Sequence, residues 1–316
     1  MPKRRPFEAA ASKAARAAQR NRAGRLRDQR VGPNTIRRYL DAALRFCTWL
    51  YLHDELPSCS LRELDLQLAS CIEALWAEGE GKAVAGYALA GIQHLLLVKR
   101  SFPRAWDLYG IWQRMELPRR VPPMLAEVLL GMAGYLVERG LSSIAAALLL
   151  GFHCLLRTDE VLSVTSSTAN IGPSMTGAVA LPFTKTGSRR GAQEIVTIDD
   201  PFVGRAVAHE LHLRPPGERL VSCAAARFRA AFHEAAGAVG MQAAGLQPYT
   251  PRRGGATHDY LAHGDVLRTV ARGRWSDFKV AKIYVTDGAA VLAQQRLSPL
   301  QRALCERYSA ALARAW

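Results

Sequence analysis

Apolar side chains recur every three to four positions from residue 36 onward: Ile36, Tyr39, Leu40, Ala43, Phe46, Cys47 and Leu50. That spacing places them on one face of a helix. Asn34 or Thr35 ahead of it offers a side-chain oxygen to cap the helix. By the same spacing Tyr39, Phe46, Trp49 and Tyr51 read as core aromatics and not as platforms for stacked bases. Helical patterns run on through "SLRELDLQLASCIEALWAEG" (60–79) and "KAVAGYALAGIQHLLLVKR" (82–100), with a short segment around Trp106 to Trp112. Residues 31–118 therefore read as a small all-helical domain.

The pattern breaks at "LPRRVPPML" (117–125), whose three prolines stop any helix and suit a linker, assigned to 119–124. Two helices are predicted beyond it, about 124–138 and 141–156. The period then changes to two. Val179, Leu181 and Phe183 alternate before a Gly/Ser/Arg turn, and Glu194, Ile195, Val196 and Ile198 follow it, which predicts a β-hairpin over 177–199. From residue 200 the chain is helical again. The expected fold is mainly α and multidomain: a helical domain, then an α+β domain over 125–316 with a small antiparallel sheet. There are no internal repeats.

Within that second domain lies "PYTPRRGGATHDYLAHG" (248–264). Thr250 followed by Pro251 predicts a cap and first turn near 251. Gly264 ends the helix, Asp265 caps the next one, which Gly273 terminates, and Ser276 caps a third. Arg252 then sits in a first turn, where unpaired backbone N–H groups and the helix dipole already favour an anion such as phosphate. Gly254 and Gly255 let a ligand or another backbone come close.

Charge sharpens this picture. Among 316 residues the formal charge is +15, with 49% hydrophobic and 22% charged residues. Residues 1–30 hold ten Lys/Arg against Glu8 and Asp28, so +8 is local to that segment and +7 belongs to the rest. A polyanion is the natural partner of such a balance, although an anionic membrane surface would answer to the charge alone. The first thirty residues read as a basic arm that touches nucleic acid, or else as a solvated tail. Six cysteines without a C-x-x-C pair read as buried free thiols in a reducing compartment. The longest apolar run, residues 144–156, is too short to span a bilayer, and no signal peptide is evident.

The candidate partners of Arg252 are spread along the chain. Arg157 stands in "CLLRTDEV" with Glu160 one turn later, Lys185 lies in the hairpin, and Trp275 and Tyr284 stand in "GRWSDFKVAKIYV". Together these pieces, in this order and spacing, resemble the tyrosine recombinase (phage integrase) family over roughly 124–290; residues 31–118 resemble, more weakly, that family's core-binding domain.

The resemblance implies that Arg157 and Arg252 clamp a scissile phosphate, that Lys185 protonates the leaving 5′ oxygen, that the Trp275 indole hydrogen-bonds the phosphate, and that Tyr284 attacks phosphorus. Arg189 or Arg190 could stand in for Lys185. The family usually has histidine three residues before the second arginine, where this chain has Tyr249. A phenol is a poor base at neutral pH, which puts the deprotonation step in doubt and leaves the phosphate clamp intact. Glu160 takes the place of the family's acidic residue as a brace.

The chemistry suits these residue types. Two guanidinium forks match the non-bridging oxygens of a phosphate, and a tyrosine forms a covalent phosphodiester link. No cofactor or metal is expected, since fixed cations do that work and no carboxylate cluster is present to hold magnesium. Arg253, Arg189, Arg190, Arg37 and Lys82 are candidate DNA contacts. "HELH" (209–212) reads as a helix surface and not a zinc site, and His258 and His263 as ordinary helix residues.

The expected partner is double-stranded DNA, gripped by a C-shaped clamp, with a homotetramer implied by the resemblance; no membrane or small-molecule substrate is expected. The expected location is intracellular, with DNA. The expected function is a recombinase that cuts and rejoins DNA through a 3′-phosphotyrosyl intermediate. A type IB topoisomerase and a DNA-binding protein with a decayed site are the rivals. The amphipathic helix after Tyr284 docks either on a neighbouring protomer or on its own domain.

Overall fold

The computed structural model describes residues 10–25, 30–117, 122–181, 184, 194–282, 284–285, 291, 293–294 and 296–316. Contacts divide the chain into two compact units, Met1–Arg119 and Arg120–Trp316.

The first unit begins with α1 (Lys13–Ala23), a polar helix with no buried residue, capped by the Ser12 side chain. Its core is built by α2 (Pro33–Leu52), α3 (Leu61–Ala77), α4 (Lys82–Leu95) and α5 (Pro103–Met115). Phe46, Leu50, Leu68, Ile72, Leu89, Phe102 and Trp112 pack together there. Asp65 of α3 is buried because it caps another helix: its carboxylate accepts from the backbone N–H of Arg104 at 3.1 Å and of Ala105 at 3.0 Å. A carboxylate at that position satisfies orphan donors and the positive end of the α5 dipole together.

Several expectations for this unit are corrected. Gly32, not Asn34 or Thr35, caps α2, because Pro33 starts the helix two to three residues earlier. Tyr51 is 74% exposed and Leu40 49%, so neither belongs to the core, while Tyr39 and Trp49 are half-buried. The apolar stripe of α2 is wider than the face its neighbours cover. The helix predicted to reach residue 100 stops at 95, where Leu97 and Arg100 take left-handed backbone angles. All six cysteines are free, but Cys47 and Cys59 are exposed and Cys223 only partly covered; Cys71, Cys154 and Cys305 are buried.

In the second unit α6 (Ala126–Glu138), α7 (Ser142–His153) and the four-residue α8 (Thr158–Val161) lead to a three-stranded antiparallel sheet. Its strands are β1 (Ala169–Ile171), β2 (Gly177–Leu181) and β3 (Glu194–Ile198), with Val179 opposite both Ala169 and Val196. Val179, Leu181, Val196 and Ile198 point into the core, which is the alternation the hairpin reading rested on. Strand β1 was not anticipated; three residues are too few to show a period. Phe183 lies outside the described residues.

Next come α9 (Pro201–His212), α10 (Ala225–Ala238), α11 (Thr250–His263), α12 (Val266–Gly273), α13 (Phe278–Ala281) and α14 (Pro299–Ser309). Helix α7 is buried from Ile144 to Phe152 and packs against α6, α9 and α11. Helix α14 packs on α6 of its own unit, where a Cβ on Gly131 would stand 2.7 Å from the Cys305 Cα and one on Gly134 1.9 Å from the Tyr308 carbonyl oxygen. Among the described residues no helix is long and apolar enough to cross a membrane.

Candidate active site

Helix α7 ends before residue 156 because Leu155 adopts φ +50° and reverses the chain. That reversal has two consequences. It turns the Leu155 carbonyl toward α11, and it makes Arg157 the N-cap residue of α8. Glu160 closes this corner. Its Oε2 accepts from the Arg157 backbone N–H at 2.8 Å, and its Oε1 pairs with Arg157 Nη1 at 2.6 Å.

Helix α11 brings Arg252 to the same corner. Its N-cap is Tyr249, with Pro251 in the first turn; the expected cap, Thr250, is already helical, and its hydroxyl accepts from the Gln247 N–H at 2.8 Å instead. Gly254 and Gly255 serve a backbone and not a ligand. A Cβ on Gly254 would stand 2.1 Å from the Met124 carbonyl oxygen, and one on Gly255 2.0 Å from that of Phe152.

The close packing seals Arg252 completely, at 0% exposure. Its Nη1 donates to the Leu155 carbonyl and its Nη2 to the Gly273 carbonyl at 2.7 Å, with Glu160 Oε2 3.9 Å from Nη1. Loss of water pushes its pKa down to about 10, with Arg157 and Arg274 adding repulsion and Glu160 opposing them.

The third approach comes from the turn after α12. Asp265 caps α12 through hydrogen bonds from the N–H groups of Leu267 and Arg268, and Gly264 ends the preceding helix at φ +65°. Arg274 then takes φ +55°, and Gly273 leaves room for the Trp275 ring, which a Cβ would meet at 2.1 Å. Helix α13 starts directly after Asp277, and Ser276 bonds to the Asp277 side chain at 3.3 Å. Tyr284 follows that helix.

The Tyr284 ring stacks on Trp275 with centroids 4.7 Å apart at 25°, and the Arg252 guanidinium lies 5.1 Å from the indole and 5.6 Å from the phenol ring. The Tyr284 hydroxyl oxygen accepts a hydrogen bond from the Tyr249 hydroxyl. Tyr249 is 38% exposed; partial loss of water at its hydroxyl raises its pKa above the ordinary tyrosine range, and its bond to Tyr284 adds to the rise. Burial works against the charge of Arg157, but Glu160 outweighs it and leaves that pKa raised.

The fold thus brings Arg157, Glu160, Tyr249, Arg252, Trp275 and Tyr284 into one cluster. Lys185, Arg189 and Arg190 lie outside the described residues. Arg253 is half-buried, and Arg37 is exposed on α2. Lys82 donates to the Glu116 carbonyl and is only 23% exposed, so it holds the end of α5 in place.

One residue escaped the sequence reading. Arg274 reaches Glu160 Oε2 at 2.7 Å and Glu194 Oε2 at 3.2 Å. Its only signal was an arginine wedged between Gly273 and Trp275. The site therefore holds three guanidinium groups against two carboxylates. Arg252 Nε, Arg274 Nη1 and Trp275 Nε1 are buried and find no hydrogen-bond partner among the described residues. Buried donors without partners, next to surplus positive charge, suit an anion.

No protein-family model and no curated protein matches the chain. Solved structures do. The XerH site-specific recombinase bound to palindromic difH substrate, in a post-cleavage complex, matches with a TM-score of 0.59 at 11% identity, over 90% of this chain and 85% of that one. The pre-cleavage complex of XerH with difH matches with a TM-score of 0.51 at 10% identity, over 74% of this chain and 70% of that one. The fold is that of the tyrosine recombinases.

Proposed function

We propose that the chain is a DNA strand-breaking and rejoining enzyme, a site-specific recombinase that works through a phosphotyrosyl intermediate on Tyr284. The observation that carries this reading is the cluster itself. A phenol stands beside Arg252, Arg157 and an indole, Arg274 joins them through Glu160, and three donors of this cluster are buried and unpartnered. The fold is shared with XerH site-specific recombinase complexes on difH substrate before and after cleavage, which supports a recombinase reading.

In this reading the Tyr284 oxygen attacks phosphorus, and the arginines and Trp275 stabilise the charge that builds on the non-bridging oxygens. Arg252 is locked by two carbonyls and by stacking, so it supplies fixed charge without reorganising during the reaction. Its Nε and the indole N–H are left without a protein partner among the described residues. Lys185 protonates the leaving 5′ oxygen, and no divalent ion is required. Double-stranded DNA is the partner, with a homotetramer as the working assembly. The helical unit and the basic arm supply backbone contacts to the duplex, with Arg37 among them.

The test is a covalent trap. The protein is incubated with a randomised pool of 5′-labelled nicked duplexes and resolved on a denaturing gel. A labelled adduct is expected from the wild type and none from Tyr284→Phe. An adduct that persists in Tyr284→Phe would name another nucleophile. No adduct from the wild type would leave a DNA-binding protein, and supercoil relaxation without a site would point to a topoisomerase.

A further inference from the structure

Position 249 carries a phenol where the family pattern has an imidazole, and the structure gives that phenol a definite neighbour. The turn before α11 is tied down from the α8 side, since Thr158 Oγ1 donates to the Pro248 carbonyl at 3.1 Å. Tyr249 follows as the N-cap residue with φ −87° and ψ −16°. Its hydroxyl meets the Tyr284 hydroxyl, with the two rings 6.1 Å apart and tilted by 58°. Tyr284 is held from behind as well: its ring stacks on Trp275, and its carbonyl accepts from Thr257 Oγ1 at 3.0 Å. Two independent segments thus converge on one oxygen atom.

Resting on the reading above, we propose that Tyr249 is a catalytic hydrogen-bond donor to the nucleophile, stabilising the Tyr284 phenolate instead of removing its proton. An imidazole at 249 could act as a base. A phenol that keeps its proton cannot, and although Tyr249 is 38% exposed, partial loss of water at its hydroxyl and this bond keep it protonated beyond the ordinary tyrosine range. A protonated donor next to the attacking oxygen favours its charged form, which is the form that attacks.

The step balances without an added reagent. The Tyr284 proton passes to water, and the oxygen lone pair forms the bond to phosphorus. The bond from phosphorus to the 5′ oxygen breaks with its electron pair, and that oxygen takes a proton from Lys185 or from solvent. The Tyr249 proton stays where it is throughout. The charged groups near the phenol pair are Arg157 at α8 and Arg252 in α11, with Glu160 and Arg274 linked to these arginines and Lys282 exposed on the Tyr284 segment itself. All of these stay in place when only residue 249 is changed, so their share of the stabilisation is held constant.

The experiment follows the rate of adduct formation on the nicked-duplex pool from pH 6 to pH 10 in wild type, Tyr249→Phe and Tyr249→His. Hydrogen bonds to charged groups are strong enough that Tyr249→Phe should slow the adduct about tenfold at neutral pH. Its rate should continue to climb at alkaline pH where the wild type has levelled off. Tyr249→His, which again places a hydrogen-bonding group there, should recover most of the neutral-pH rate and also guards against a folding defect in the phenylalanine variant. A Tyr249→Phe profile that overlays the wild type overturns the inference while the adduct itself upholds the recombinase reading. Absence of any wild-type adduct overturns both.

Discussion

At the scale of single residues, Glu160 shows why so much charge can be buried in so small a space. It is 4% exposed and touches Arg157, Arg252 and Arg274, one of which has no exposure at all. Removing one partner from a buried ion cluster leaves charge with neither water nor counterion. Glu160→Gln should therefore lower stability by about 3 kcal/mol in urea denaturation, and it should abolish the adduct even where the protein stays folded. A surface substitution of the same kind at the exposed Glu138, Glu138→Gln, should stay within about 0.5 kcal/mol. A second cluster lies outside the site: Asp199 pairs with Arg272 at 2.7 Å and Arg268 at 3.5 Å, and its Oδ1 lies 2.7 Å from His153 Nε2. Partial burial disfavours the Asp199 charge, but the Arg272 hydrogen bond and charge, with His153, hold its pKa well below the usual carboxylate range. Burial, reinforced by Arg272, lowers the His153 pKa. Both shifts have one sign for stability. A depressed folded pKa gives stability that is complete above the unfolded value and is lost as pH falls through the folded one. Stability should thus decline first below about pH 6.5 as His153 is forced to charge, and again below about pH 4 as Asp199 is protonated. Asp199→Asn should cost stability at pH 7, and the gap to wild type should shrink at pH 3. A gap that stays constant between these pH values would show that the pairing carries no linkage.

At the scale of elements, glycines set how closely the helices approach and hence where the site sits. Gly255 lets α11 lie on α7 with no side chain between them, and this contact holds Arg252 against the Leu155 carbonyl. Gly255→Ala must push two backbones apart, which should cost about 1–3 kcal/mol by overpacking. Adduct formation should fall more steeply than folding does, since Arg252 moves with its helix. Comparing melting temperature with adduct yield checks this: loss of stability with full yield would place Arg252 outside the chemistry. These contacts also explain what could be read in the chain beforehand. The helical periods and the two-residue period of the hairpin are local, so the mainly α architecture and strands β2 and β3 were legible. That Arg157, Arg252, Trp275 and Tyr284 stand near one another was legible too, from the order and spacing of the motifs that resemble the tyrosine recombinase family. Which carbonyls Arg252 binds was not, since they depend on Leu155 adopting a left-handed angle and on Gly273 making room for Trp275. Arg274 was missed for a similar reason: nothing local links it to Glu160, 114 residues away. The exposed face of α2 misled through Tyr51 and Leu40, because periodicity gives the direction of a stripe and not the width of the surface that will cover it.

At the scale of the whole molecule, the charge must be assigned to a task. Over half of the +15 lies in the first thirty residues, and no described residue of that segment is buried. The described part of the segment therefore adds nothing to a core, and in the proposed reading the ten basic side chains of residues 1–30 either contact DNA or remain solvated. Salt dependence separates these two cases, because each phosphate neutralised adds about 0.9 to the slope of log affinity against log salt concentration. If roughly half of the ten side chains touch the duplex, deleting residues 1–30 should lower that slope by about 4 while the melting temperature stays unchanged. Affinity at low salt should drop accordingly, and the loss should be similar for every duplex sequence, since contacts to phosphate carry no sequence information. The covalent adduct at saturating DNA should survive the deletion, because Arg157, Arg252, Trp275 and Tyr284 all lie in the second unit. An unchanged slope would make the arm a solvated tail and leave the grip on DNA to the +7 carried by the rest of the chain.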